Sequence, residues 1–143
     1  MITKLKNNTK GLLYHGSSKQ NLKIIDPFKT DQRRMPGDRD YNKVYGTWDQ
    51  SFSSMFCSNI SFKGSKNNNT PWHMYIEKMP LSFKKPCSIY ILESTWFMPP
   101  GKVMGPEMYS KTVCKIIKET KYKSILNCLK KNNVKVIIKD KEK

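Results

Sequence analysis

Arginine is scarce in this chain: Arg33, Arg34 and Arg39 stand against 24 lysines. Planar, bidentate recognition of phosphates or base edges relies on guanidinium groups, and lysine does that work less well. Long apolar runs are missing too. No stretch approaches the roughly 18 residues that a membrane span requires, and the opening MITKLKNNTK lacks the apolar segment of a secretory signal. A soluble, intracellular protein is the expectation. Cysteines are few and far apart. Cys57, Cys87, Cys114 and Cys128 are spaced 30, 27 and 14 residues apart, with no CxxC pair and no histidine nearby. Zinc ligands usually come in pairs two to four residues apart, and disulfide frameworks belong to secreted chains, so neither a metal site nor a disulfide is expected. The four thiols read as small buried hydrophobes. Phosphate-cradling GxxxxGK, HExxH and GxSxG are all missing, as is any defensible Ser/His/Asp set.

What is present is one domain's worth of chain, 143 residues. Leu, Ile, Val and Phe number 31, about 22%, just above the level below which a chain stays disordered. Three Trp and seven Tyr add area to bury. The net charge of +16 is concentrated at the ends. Residues 1–43 carry ten basic and four acidic side chains, residues 44–110 six and four, and residues 111–143 eleven and three. Such basic ends suit an acidic protein or a nucleic acid as partner. Eleven Asn beside the lysines also match an AT-rich coding bias.

The pattern divides into a basic arm over 1–10, a single domain over 11–139 and a charged tail over 140–143. GLLYH (11–15) predicts a short buried strand. Ser17 or Ser18 is placed to cap a weak helical turn that stops at Asp26-Pro27. Residues 28–42 read as a charged loop and KVYGT as a second strand. Asp49 is placed to cap a helix with Phe52, Met55 and Phe56 on one face. Residues 63–71 read as a low-complexity polar loop. WHMYIE, CSIYILE, TVCKIIK and VKVIIK predict strands, MPPGKVMGPE a shaped loop, and TKYKSILNCLKKNN a helix stopped by Asn133. Short strands with few, short helices make the fold class α+β.

Three segments carry chemistry-bearing residues in order: His15-Gly16-Ser17 after an apolar strand, Tyr45 and Phe56 eleven residues apart with Ser53 between them, and Glu107 in a Gly/Pro loop. Taken singly, each has a plain structural reading: a hydrogen-bonding histidine, core aromatics, a solvated glutamate. Together, LLYHGSSKQNLKIIDP, KVYGTWDQSFSSMFC and GPEMYSK resemble the three signatures of the poly(ADP-ribose) polymerase-like ADP-ribosyltransferases, over residues 11–57 and 104–117. GPEMYSK is also similar to a pattern in small bacterial and phage proteins that share the Tyr-His-Gly-Ser start.

The resemblance implies an ADP-ribosyltransferase-like split antiparallel β-sheet sandwich with NAD bound in its cleft. His15, Gly16 and Ser17 then hold the adenine-side ribose and the carboxamide. Tyr45 and Phe56 sandwich the nicotinamide, Ser53 binds its amide, and Glu107 orients the neighbouring ribose hydroxyl and stabilises the cationic transition state. Phe56 keeps the π-face of the family's second tyrosine and lacks its hydroxyl. Phe52 stands where the polymerases carry a basic residue, which points to single transfers rather than chain elongation. The implied activity is mono-ADP-ribosylation of a protein or nucleic-acid acceptor, as in a phage or toxin-type effector acting in a host cytoplasm, with NAD hydrolysis as a variant. Arg33, Arg34 and Arg39 are candidates to steer the pyrophosphate, and His73 reads as structural or exposed. Two alternatives stay open: a module of the same fold that binds NAD or ADP-ribose without turnover, and a basic nucleic-acid-binding protein.

Overall fold

The computed structural model describes residues 12–26, 44–58, 60, 62–66, 71–93, 108–110 and 113–139. The expected arm, the 28–42 loop with its three arginines, residues 98–107 including Glu107, and the tail lie outside them. Among the described residues the fold is α+β, as the sequence predicts. Strands β1 (Leu12–Ser17), β6 (Cys87–Glu93), β8 (Cys114–Tyr122) and β2 (Ile24–Ile25) form a curled antiparallel sheet in the order β1-β6-β8-β2. Strands β3 (Val44–Gly46) and β7 (Met108–Ser110) pair antiparallel with each other. Strands β4 (Lys63–Ser65), β5 (His73–Ile76) and β9 (Lys135–Ile138) form a third sheet, and its β5–β9 pairing is parallel. Among the described strands, the antiparallel arrangement expected throughout holds for every pairing but β5–β9.

Strand β6 is the spine, buried on both faces because alternate side chains feed two cores. Cys87 and Ile89 join a large core with Phe52, Met74, Phe83 and Leu129. Tyr90 and Leu92 join a smaller one on the opposite face with Leu13, Ile25, Val44 and Cys114. Helix α1 (Gln50–Met55) and a 3₁₀ turn (Phe56–Ser58) lie against β1, and helix α2 (Ile125–Lys131) packs into the larger core. Both helices begin on the kind of residue that satisfies otherwise unpaired N–H groups: Asp49 accepts from Phe52 N at 3.1 Å, and Ser124 accepts from Asn127 N at 3.0 Å. Lys130 and Lys131 suit the negative end of α2, and Asn133, at φ 59°, ends it in the left-handed conformation as predicted.

Three expectations need correction. The helix expected over 120–133 starts only at Ile125, because Thr120–Tyr122 continue β8 in its pairing with β6. No helical turn forms between Ser17 and Asp26; β1 runs on through Ser17, and residues 18–23 form an irregular loop. Long-range bonds hold that loop: Tyr90 Oη donates to Lys19 O at 2.7 Å, and Glu119 accepts from Asn21 N at 2.9 Å. Their sum outweighs a weak local helical preference. In the polar stretch 63–71, Lys63–Ser65 forms strand β4 against β5 although all three residues are exposed. Cross-strand backbone bonding, not burial, makes this segment extended.

Candidate functional site

The first two signature segments meet. Tyr14 N donates to Thr47 O at 2.6 Å and Thr47 N returns the bond at 3.0 Å, tying the end of β3 to β1. One residue along, His15 Nδ1 donates to Tyr45 O at 2.7 Å. A carbonyl only accepts, so Nδ1 carries a proton. Residues thirty positions apart in the sequence thereby become neighbours in space. The strand that follows Glu107 joins them, since β7 pairs with β3 with Tyr45 opposite Tyr109 and Gly46 opposite Met108.

Gly16 and Ser53 are also brought together. A Cβ on Gly16 would lie 2.1 Å from the carbonyl oxygen of Ser53, so β1 and α1 touch backbone to backbone. Ser53 itself is 2% exposed, and its hydroxyl donates to Gln50 O at 2.6 Å. With its proton engaged there, it has acceptance from an amide N–H to offer a carboxamide. Ser17 Oγ turns back on its own loop, accepting from Lys19 N at 3.0 Å. Phe56 is half-buried, edge-on to Phe52 at 5.1 Å and to Phe62 at 5.4 Å. His73 is half-buried and stacks on Tyr75 at 6.3 Å.

Sequence reasoning passed over three features. Trp48 is 56% exposed beside the Tyr14–Thr47 bridge, a large ring next to the expected cleft. On the sheet face that carries His15, the pairings His15–Tyr90 and Tyr90–Glu119 form a polar row across β1, β6 and β8. Burial pushes the Tyr90 hydroxyl up to about 12. Partial burial opposes ionisation of Glu119, yet bonds from Ser88, Asn21 and Tyr90 and the Lys121 ammonium hold its carboxyl below the usual value.

The third feature is a group of thiols. Cys57, Cys87 and Cys128 are buried, and their Sγ atoms all lie within 4.8 Å of one another. The long spacings argued against such a cluster; a 3₁₀ turn, a strand and a helix from three parts of the chain create it. Cys87 ionises first, because its thiolate accepts S–H bonds from Cys128 and Cys57. Those bonds and burial push Cys57 up. For Cys128 the bond with Cys57 favours the thiolate, but Cys87 and burial outweigh it and push the group up. All four cysteines are buried, as the sequence predicts.

No protein-family model, curated protein or solved structure matches the chain. Among the described residues no helix is long and apolar enough to cross a membrane.

Proposed function

We propose that this chain is a mono-ADP-ribosyltransferase, with β7-β3 and the β1-β6-β8-β2 sheet as the two halves of a split sheet and NAD lying along the seam of β1 and β3. The observation that carries the reading is the His15 Nδ1–Tyr45 O bond. It joins the first two signatures at the residues that the resemblance assigns to the dinucleotide, beside the strand that follows the third.

In this reading the His15 imidazole contacts a hydroxyl of the adenine-side ribose. The Tyr45 ring, on the strand whose carbonyl fixes that imidazole, packs on one face of the nicotinamide, with Phe56 on the other. Each such contact is worth about 0.5–1.5 kcal/mol beyond area burial. Glu107 binds the nicotinamide-side ribose hydroxyl. The bond from the ribose anomeric carbon to nicotinamide nitrogen breaks with the electron pair leaving on nicotinamide. Glu107 stabilises the cationic sugar, as carboxylates do in glycosyl transfer generally. The acceptor nucleophile then bonds to that carbon and gives up its proton. Water in its place yields free ADP-ribose.

The test is NAD labelled in the nicotinamide ring, incubated with wild type and with Glu107→Gln. Wild type should release nicotinamide, and the variant should turn over about 10²–10³ more slowly with NAD affinity little changed. The buried, engaged Ser53 hydroxyl favours a second reading, a binding module without turnover. NAD binding with no release by wild type selects that module. Neither binding nor release removes both readings and leaves a basic protein that binds nucleic acid, whose affinity must fall steeply with salt.

A further inference from the structure

The triangle of thiols beneath β1 owes nothing to the NAD reading and has its own chemistry. Cys57 comes from the 3₁₀ turn after α1, Cys87 from the first position of β6 and Cys128 from the middle of α2. Cys57 and Cys128 Sγ are 4.0 Å apart, and all three sulfurs fall within 4.8 Å. A point equidistant from three atoms spaced 4.0–4.8 Å lies about 2.3–2.8 Å from each, against about 2.3 Å for a metal–thiolate bond. A trigonal ion fits after a contraction of a few tenths of an ångström. Two sulfurs side by side are common in a core. Three, converging from three elements so that their centre falls at bonding distance, make a coordination geometry.

We propose that Cys57, Cys87 and Cys128 form a three-thiolate site for a soft d¹⁰ metal ion, monovalent copper or zinc. Thiolate donors select such ions over magnesium, calcium or manganese, which take oxygen. Among the described residues no His, Asp, Glu or fourth Cys joins the group, so these residues supply three ligands. Monovalent copper is satisfied by three. Zinc needs a fourth donor, which water would have to provide. Each coordinating thiol releases its proton to solvent. Asn132 Nδ2, 2.8 Å from Cys128 O and 3.7 Å from Cys128 Sγ, supplies an outer-sphere donor toward the anionic sulfur. Loading cross-links the turn after α1, β6 and α2, and so stiffens the ground under Gly16, whose Cβ position is 3.0 Å from Cys57 Sγ.

The experiment uses the full chain, reduced and metal-free, titrated without oxygen with Cu⁺ or Zn²⁺ against a competing chelator. One ion per chain is expected, with sulfur-to-metal charge-transfer absorption and a higher Tm. Cys57→Ala, Cys87→Ala and Cys128→Ala should each weaken binding by roughly 100-fold or more, beyond the 10–100-fold typical of outer-sphere losses. Cys114→Ala, in the other core, should leave it unchanged. X-ray absorption on the loaded wild type removes any dependence on how the variants fold: three sulfur neighbours at about 2.3 Å are expected. Three sulfurs alone identify copper as the fitting ion, and three with one oxygen identify zinc. Less than a tenth of an ion per chain for both metals, fewer than three sulfur neighbours, or equal weakening by Cys114→Ala overturns the site.

Discussion

At Gly16 a single hydrogen atom decides how closely β1 and α1 approach. The Ser53 carbonyl stands where a methyl group would go, so Gly16→Ala must push the helix away from the strand. We expect a loss of about 1–3 kcal/mol, read as a lower urea midpoint. Glu119 carries a pH signature. Its carboxyl is held below its usual value, so it contributes stability above the unfolded-state value and loses it as pH falls through the folded one. From about pH 5 downward, wild type should therefore lose stability faster than Glu119→Gln, and the gap between them should close. Parallel urea titrations across that range check it. At this scale the sequence singled out His15 and Tyr45 by motif order, but the bond between them, made from inside β1 to inside β3, was not legible. Nor was the thiol triangle. Spacing reports local ligand pairs, and these cysteines meet only through the pairing of β1 with β6 and the packing of α2.

Helix α1 was legible in outline because its start signal is local. Asp49 caps it, and Phe52 and Met55 turn inward as their spacing predicts. The wider role of Asp49 could not be read along the chain. Its second oxygen accepts from Trp72 Nε1 at 2.9 Å and lies 3.7 Å from Lys66 Nζ, so one carboxylate ties α1 to the segments that begin β5 and follow β4. Asp49→Ala removes the cap, worth about 0.5–2 kcal/mol, and leaves a half-buried indole N–H without this acceptor. A total near 1–3 kcal/mol is expected in denaturant titration, with Asp49→Asn costing less because it keeps an acceptor. The 18–23 loop and β4 escaped the sequence reading for opposite reasons. In the loop, tertiary bonds from Tyr90 and Glu119 overrule a weak helical preference. In β4, a polar segment with no side chain to bury is made extended by its partner strand.

For the whole molecule, the sequence supplied the class and most of the elements, whereas the sheet order depended on pairings between distant segments. The nearly neutral middle of the chain supplies β3 to β7 and α1, while the basic ends supply β1 and β2 on one side and β8, α2 and β9 on the other. The parallel pairing of β5 with β9 has a consequence in time. His73 sits beside Lys135 and Ile76 beside Ile138, so β5 gains its second neighbour only once the chain has grown 62 residues further. At typical elongation rates that is a delay of roughly 3–12 s. Throughout it, one edge of β5 and the buried side of Met74 wait for cover, which makes that interval on the ribosome the moment of greatest exposure to wrong partners.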